Sequence, residues 1–316
     1  MKKILKNYYE NSKIGQRLLY LPKKLRDFFY YIKMKNLTDE EFIKLRYKMS
    51  LNKEINLSEP VLFTEKIQWL KLNDRNEIYT ECADKYLVRK YIEKKIGPQY
   101  LIPLVFKTDS YDDINISNIP DYPVIIKTTH DSGGVFVINN KSHTDFSKIR
   151  RALKIRLSKS HYRINREWEY KNIKPRIIVE ELLKDSSGNK QLNDYKIYCF
   201  HGTPMFIQTI YDRGAETKET WYDTDWNLLD VYYFSKNKKN IKKPKLLKEL
   251  LSIAKILSKD FPYVRVDLYI VKDKIYFGEL TFRPYGGFMK FVPEIFDKEL
   301  GDYLDLKNLK SLNNPE

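Results

Sequence analysis

A chain of 316 residues is too long for one small core and sets an expectation of about two domains. With 42% hydrophobic and 32% charged residues the composition excludes a disordered chain, and the lack of any run of ~18 apolar residues excludes a transmembrane helix. The net charge of +16 implies either a solvated basic surface or an anionic ligand. A nucleotide, an acidic glycan or an anionic lipid would serve, whereas nucleic acid is disfavoured because no helix-turn-helix, RNA-recognition or zinc-finger pattern is present.

The N-terminus, MKKILKNYYENSKIGQ, is basic but has no apolar h-region, so it does not read as a secretory signal. Residues 1–35 interleave Lys and Arg with Leu, Tyr and Phe (LLYLPKKLRDFFYYIKMK). That pattern suits either peripheral contact with the inner face of a membrane or packing on the protein itself, and Pro22 divides any helix there into two. Thr38 followed by Glu41 predicts a capping box, after which Phe42, Leu45 and Met49 share one helical face. A second helix, FTEKIQWLKL, carries Ile67 and Leu70. A third runs from about Thr80, places Ala83, Leu87 and Tyr91 on one stripe, and stops at Gly97-Pro98. The two cysteines, Cys82 and Cys199, lie far apart without a CxxC neighbour, which argues against a zinc site or a disulfide framework and for a reducing cytoplasm.

From there strands dominate. Tyr122–Thr128 (YPVIIKT) is a short apolar run ending in a lysine, followed by HDSGG and a second strand, Val135–Ile138. A helix with Ile149, Leu153 and Leu157 on one face comes next. Arg176–Leu183 (RIIVEELL), a turn at SSGN, and the hairpin DYKIYCF–HGTP–MFIQTI follow, and then the basic loop Ser235–Lys245. Pro244 opens a helix bearing Leu246, Leu250, Ala254 and Leu257. YVRVDLYI and KIYFGEL, joined at Lys272-Asp273-Lys274, form the last hairpin before TFRPYGG. Hairpins mixed with helices predict an α+β fold.

The hairpin over residues 265–281 carries the strongest chemical signal. Alternation puts Arg265 and Asp267 on one face of their strand, and Glu279 and Thr281 on one face of the next. Two carboxylates brought together repel unless a cation lies between them, and hard oxygen ligands select magnesium or manganese. An ion-pair cluster on an exposed sheet face is an equally economical reading of the same residues. In IIKTTHDSGG, Lys127 leaves a buried strand before a glycine turn, an arrangement able to surround phosphates. The Walker spacing is absent. IIVEELL ends a strand in Glu180 and Glu181.

Together, in this order, these segments resemble an ATP-grasp enzyme over about residues 80–300. The resemblance implies two α+β subdomains clamping ATP behind an N-terminal helical extension, with boundaries at 1–78, 79–175 and 176–316. It implies that Lys85 of CADKYLVRKYI and Lys127 contact ATP. Asp131, Ser132, Gly133 and Gly134 would form the lid, Glu180, Glu181, Leu182 and Leu183 the adenine hinge, and Asp194 the ribose contact. Asp267 and Glu279 would hold Mg2+ or Mn2+ within the family's R-x-D…E signature, and Arg265 would act in catalysis with Lys127. The family's usual Asn is Thr281 here, a weaker ligand. FTEKIQWLKL, REWEYKNIKPRIIVEELL, DYKIYCFHG and GELTF are similar to the teichuronopeptide-biosynthesis (TupA-like) branch of bacterial surface-polysaccharide pathways. The resemblance implies a cytoplasmic ligase joining a uronic-acid carboxylate of a nucleotide sugar or glycan to an amine or amino acid. Arg163, Arg166, Arg283, Gly286 and Gly287 are its candidate substrate contacts. A sugar kinase using the same ATP residues, or a glycosyltransferase of capsule biosynthesis, is the competing expectation. None of the four histidines sits in a triad motif.

Overall fold

A computed structural model of the protein describes residues 34, 36–184, 192, 194–211, 218–233, 240–307 and 309. The basic stretch 1–35, apart from residue 34, lies outside the described residues, as do the SSGN turn and the first half of the loop 235–245. The first elements are α1 (Asp39–Leu51), α2 (Phe63–Asn73), α3 (Glu77–Ala83), α4 (Val88–Ile96), β1 (Leu104–Thr108), β2 (Val124–Thr128) and β3 (Val135–Ile138). Next come α5 (Phe146–Leu157), α6 (Tyr162–Asn165), β4 (Ile177–Glu181), β5 (Asp194–Phe200), β6 (Thr203–Tyr211), β7 (Lys218–Asp223) and β8 (Leu228–Leu229). The last are α7 (Leu247–Ser258), β9 (Tyr263–Val271), β10 (Lys274–Thr281) and α8 (Ile295–Asp302). Among the described residues no helix is long and apolar enough to cross a membrane.

The chain divides into two compact units at Arg46/Tyr47. In the first, the capping box opens α1 as expected: the Thr38 amide donates to Glu41 Oε2 at 2.8 Å and the Glu41 amide to Thr38 Oγ1 at 3.2 Å. The buried residues of this helix are Phe42, Ile43 and Tyr47, whereas Met49 is 57% exposed, so the expected Phe42–Leu45–Met49 face is corrected to one through Phe42, Ile43 and Tyr47.

The second unit holds two antiparallel sheets. The smaller, in the order β1-β4-β2-β3, packs Val124, Ile126, Ile177 and Val179 against Leu153 of α5. The larger, β10-β9-β5-β6-β7-β8, is covered on both faces. On one face Ile197, Cys199, Val264, Val266 and Leu268 meet Leu250, Ala254 and Leu257 of α7 together with α3 and α4. On the other, Tyr198, Phe200 and Tyr263 meet Phe63, Ile67 and Leu70 of α2 and Phe296 and Leu300 of α8. Strict alternation along β5 and β9 makes this possible, since every second residue serves a different core. Truncating a wholly buried member such as Leu257 to alanine would cost about 2–5 kcal/mol. The mixture of hairpins and helices is the expected α+β class.

The third expected helix is broken. Asp84 turns the chain between α3 and α4, its Oδ1 accepting the amides of Tyr86 (2.8 Å) and Leu87 (3.3 Å). An aspartate that takes the next amides on its side chain ends the old helix in a turn, and the new helix begins only at Val88. Leu87, expected on the buried stripe, is accordingly 37% exposed.

Candidate active site

The β9–β10 hairpin closes through Lys272 and Asp273, both with positive φ (50° and 55°), a two-residue turn whose twist suits paired strands. Its register then shifts between Phe277 and Glu279. Phe277 and Leu280 both enter the apolar core beside α7, a spacing of three that regular alternation forbids. The bulge absorbs the extra residue and brings Glu279 opposite Asp267, with Thr281 opposite Arg265. Glycine is required at 278, because a Cβ there would lie 2.9 Å from the Asp267 carbonyl oxygen.

Arg265 ties this face together. Its Nε donates to Asp267 Oδ1 at 2.7 Å, and its Nη2 donates to Asp267 Oδ2 (2.8 Å), Thr281 Oγ1 (3.0 Å) and Glu279 Oε1 (3.2 Å). Lys196, opposite Asp267 on β5, donates to Asp267 Oδ2 and stands 3.4 Å from Asp194. Asp194, Lys196, Arg265 and Asp267 are all at most 6% exposed, while the Glu279 side chain is 47% exposed. Desolvation pushes the Glu279 carboxyl up, but Lys196, Arg265, Lys85 and the Thr281 hydrogen bond outweigh it and hold the group at about 2. Glu279 is therefore anionic, and its Oε2 has no partner among the described residues. That is a fit for a divalent cation, since magnesium needs only one or two carboxylates when phosphate oxygens complete its shell. Asp267 fits only if Lys196 or Arg265 yields an oxygen.

The helix break at Asp84 aims Lys85 at the same face. Its amide donates to the Thr129 carbonyl at 3.3 Å and its ammonium to the Asp131 carbonyl. Burial lowers the Lys85 pKa, with the charges of Glu279 and Asp131 opposing the shift. Lys127 donates to Glu180 Oε2 at 2.8 Å and Arg89 to Glu180 Oε1 at 2.9 Å, so Glu180 serves as a cation brace. Asp131 is likewise occupied, by Thr128 and by Arg156 at 2.7 Å. Gly134 permits this brace, since a Cβ there would collide with Thr128 Oγ1. Gly133 takes a positive φ of 79° and Ser132 is exposed at the turn. At the end of β4, where the resemblance expects a hinge, the Glu181 and Leu182 amides donate to Pro103 and Pro123 carbonyls at 3.0 Å, while the Leu183 amide has no partner among the described residues.

The loop after β10 rests on α2. Gln68 Nε2 donates to the carbonyls of Gly286 and Gly287 at 2.9 Å, and Lys71 Nζ donates to the carbonyls of Gly286 and Asn165. Gly286 and Gly287 have φ of 64° and 72°, and a Cβ on either would strike Asn165 or Gln68. Arg283 is 3% exposed and lies over the Tyr79 ring at 5.4 Å. Arg166 is buried in a left-handed turn beside Asn165, whereas Arg163 is exposed on α6. Sequence reasoning missed Lys196. The signal was the alternation of DYKIYCF, which puts Asp194, Lys196 and Tyr198 on one face.

A family model described as TupA-like ATP-grasp matches residues 65–305. The chain belongs to the TupA-like ATP-grasp family. It is therefore an ATP-grasp enzyme, and its two α+β sheets with helices are that fold. Similar solved structures include the D-alanine–D-alanine ligase of Bacillus anthracis, at 15% identity and a TM-score of 0.41, over 73% of this chain and 68% of that one. The D-alanine–D-alanine ligase of Helicobacter pylori matches at 16% identity and a TM-score of 0.40, over 80% and 69%. The ATP-grasp ligase PsnB, solved with a phosphomimetic precursor variant, Mg and ADP, matches at 11% identity and a TM-score of 0.41, over 76% and 66%. The chain thus spans about two thirds of the length of each. Comparison with curated proteins found no match.

Proposed function

We propose that this ATP-grasp enzyme is a carboxylate–amine ligase. It would activate the carboxylate of a uronic acid, in a nucleotide sugar or surface glycan, and join it to an amine or amino acid in the cytoplasm. The observation that supports the reading best is the convergence of Lys85, Lys196 and Arg265 on the exposed, anionic Glu279. Such a face suits a polyanionic nucleotide beside a second anion, as the net charge of +16 also does.

In this reading a carboxylate oxygen of the substrate attacks the γ-phosphorus of ATP, the bond to ADP breaks, and an acyl phosphate forms. The amine then attacks the carbonyl carbon, phosphate leaves with the bond electrons, and the amine proton passes to solvent. No side-chain nucleophile is needed, and alignment alone can contribute about 7–11 kcal/mol. Lys85 and Lys127 would hold the phosphates, the hinge from Glu180 to Leu183 the base, and Asp194 the ribose side. Arg265 would steady the oxyanion of the second step. Magnesium or manganese, when bound by Asp267 and Glu279 with help from Thr281, would offset phosphate charge. Arg166, Arg283 and the Gly286-Gly287 loop would face the acceptor side.

The test is a product screen with ATP, magnesium, uronates and pooled amines, read by mass spectrometry and by free phosphate. We expect ADP and phosphate in equal amounts, a product heavier than the uronate by the amine less one water, and a hydroxamate when hydroxylamine replaces the amine. A phosphorylated sugar with ADP and no free phosphate would assign the site to a kinase instead.

A further inference from the structure

Three consecutive residues after the metal hairpin are left-handed: Tyr285 (φ 51°, ψ 28°), Gly286 (φ 64°) and Gly287 (φ 72°). Two are glycines, which adopt this conformation freely, but the first is a tyrosine, which does not. Its backbone cannot relax. The Gly286 amide donates to the Arg283 carbonyl at 2.8 Å, the Phe288 amide to the Tyr285 carbonyl at 3.3 Å, and Gln68 and Lys71 hold the carbonyls that follow. Strain that the surroundings enforce at one residue marks a place where the side chain is wanted in one direction.

That direction is outward beside the reacting face. Arg283, Pro284, Gly286 and Gly287 are buried, yet Tyr285 is 46% exposed. Its ring meets the ring of Tyr233 edge-on, with centroids 5.0 Å apart and planes at 70°. Tyr233 is braced by Trp221 and Phe291 at 6.1 and 5.7 Å, and its amide donates to Glu219 at 2.6 Å. The Tyr285 hydroxyl lies within electrostatic reach of Arg265, Lys196 and Asp267. A rigid aromatic face thus borders the cations that would hold a reacting carboxylate.

We propose that Tyr285, supported by Tyr233, is the platform on which the ring of a sugar carboxylate lies while its carboxyl group is held at Arg265. One face of a pyranose presents a row of C–H bonds that pack on the negative face of an aromatic ring, and the hydroxyls remain free for polar partners. An edge-on aromatic pair offers a single such face, whereas a planar base is better served by a slot with two. The inference rests on the ligase reading and names the structural class its carboxylate must have.

The experiment uses the full chain with saturating Mg-ATP and compares Tyr285→Phe, Tyr285→Ala and Tyr285→Gly. With the uronate substrate varied, Y285F should keep the parent KM, while Y285A and Y285G raise it about tenfold. The KM for ATP should not move. Y285G, freed of the backbone strain, should melt no lower than the parent, which separates a platform from a structural prop. Saturation-transfer NMR with Mg-ADP adds a binding readout, using D-glucuronate as probe and the acyclic D-gluconate as control. Saturation of glucuronate ring protons that Y285A loses and Y285F keeps would support the platform. Equal saturation in Y285A, equal transfer to gluconate, or no transfer to glucuronate at all would overturn it. A uronate product whose KM ignores Tyr285 would overturn the platform and leave the ligase standing. Failure to form any uronate amide would overturn the ligase reading, and the NMR result would still decide the platform.

Discussion

Replacing Lys196 with methionine removes one ammonium and keeps the stem. Asp194 and Asp267 are 1% and 2% exposed, and the Lys196 ammonium sits between them. Breaking a buried ion pair from one side costs about 3–5 kcal/mol, because the remaining charge stays out of water. Asp267 keeps its two bonds to Arg265, at 2.7 and 2.8 Å, so the loss should fall near the lower end, about 3 kcal/mol. At roughly 2–4 °C per kcal/mol that is a fall in Tm of about 6–12 °C. The same ammonium competes with a cation for Asp267 Oδ2. Lys196→Met should therefore gain more stability from added magnesium than the parent does, and Asp194→Asn in the same chain should restore part of the loss. Urea melts with and without magnesium, in the parent, both single variants and the double, give the coupling directly. A Lys196→Met protein as stable as its parent without metal, or one that gains less from magnesium, refutes the reasoning.

Glu279→Gln should be the clean loss-of-function variant, because its side chain is 47% exposed, whereas Asp267→Asn strips the partner from two buried cations. Turnover should fall at least about a hundredfold in both, but Tm should fall only in Asp267→Asn; equal melting of the two would contradict this. Mg-ADP should raise the Tm of the parent, by ~2.7 kcal/mol of stability at a hundredfold excess over Kd, with EDTA reversing the metal's share; no shift at millimolar nucleotide would count against the site. Asp297 accepts the amide and hydroxyl of Thr64, and burial raises its carboxyl to about 6. A raised carboxyl stabilises the fold below its ordinary value of 3.8 and loses that contribution as pH climbs through about 6. Asp297→Asn should thus gain on the parent by about 2 kcal/mol between pH 4 and pH 7.5, and a pH-independent difference would show the carboxyl is not perturbed.

Much of this site was legible because its parts are local. Val135–Ile138 and the 263–281 hairpin are short apolar runs bounded by turn residues, and Arg265 and Asp267 alternate with the apolar residues of their strand at a period of two. What escaped was set by distant contacts. Lys196 reads as an ordinary solvated strand position until its partner, 71 residues later, is brought opposite. The break between α3 and α4 falls in a sequence of helix-compatible residues, and its aspartate, Asp84, is also held by Arg176, 92 residues later, at 3.0 Å. Strands β1 and β7 carry Lys, Glu and Thr among their apolar residues and take their form from pairing with β4 and β6. The faces of α1 were misjudged because one apolar spacing can be met by two neighbouring stripes. Glu279 was placed near Asp267 correctly, but by a bulge at Gly278 that alternation alone does not reveal.

The stitch at Asp84–Lys85 has a mechanical consequence. The helices behind it pack on the large sheet, while the stitch itself grips the small one: Lys85 through Thr129 and the Asp131 carbonyl, Asp84 through Arg176. It works as a latch between two bodies. The Lys85 ammonium has three N–H donors and spends one on the Asp131 carbonyl, which leaves donors for an anion while the glycine turn stays tethered. Two adjacent residues thus fix the glycine turn and the small sheet to the helices behind the large one, so a change at either should loosen both attachments together.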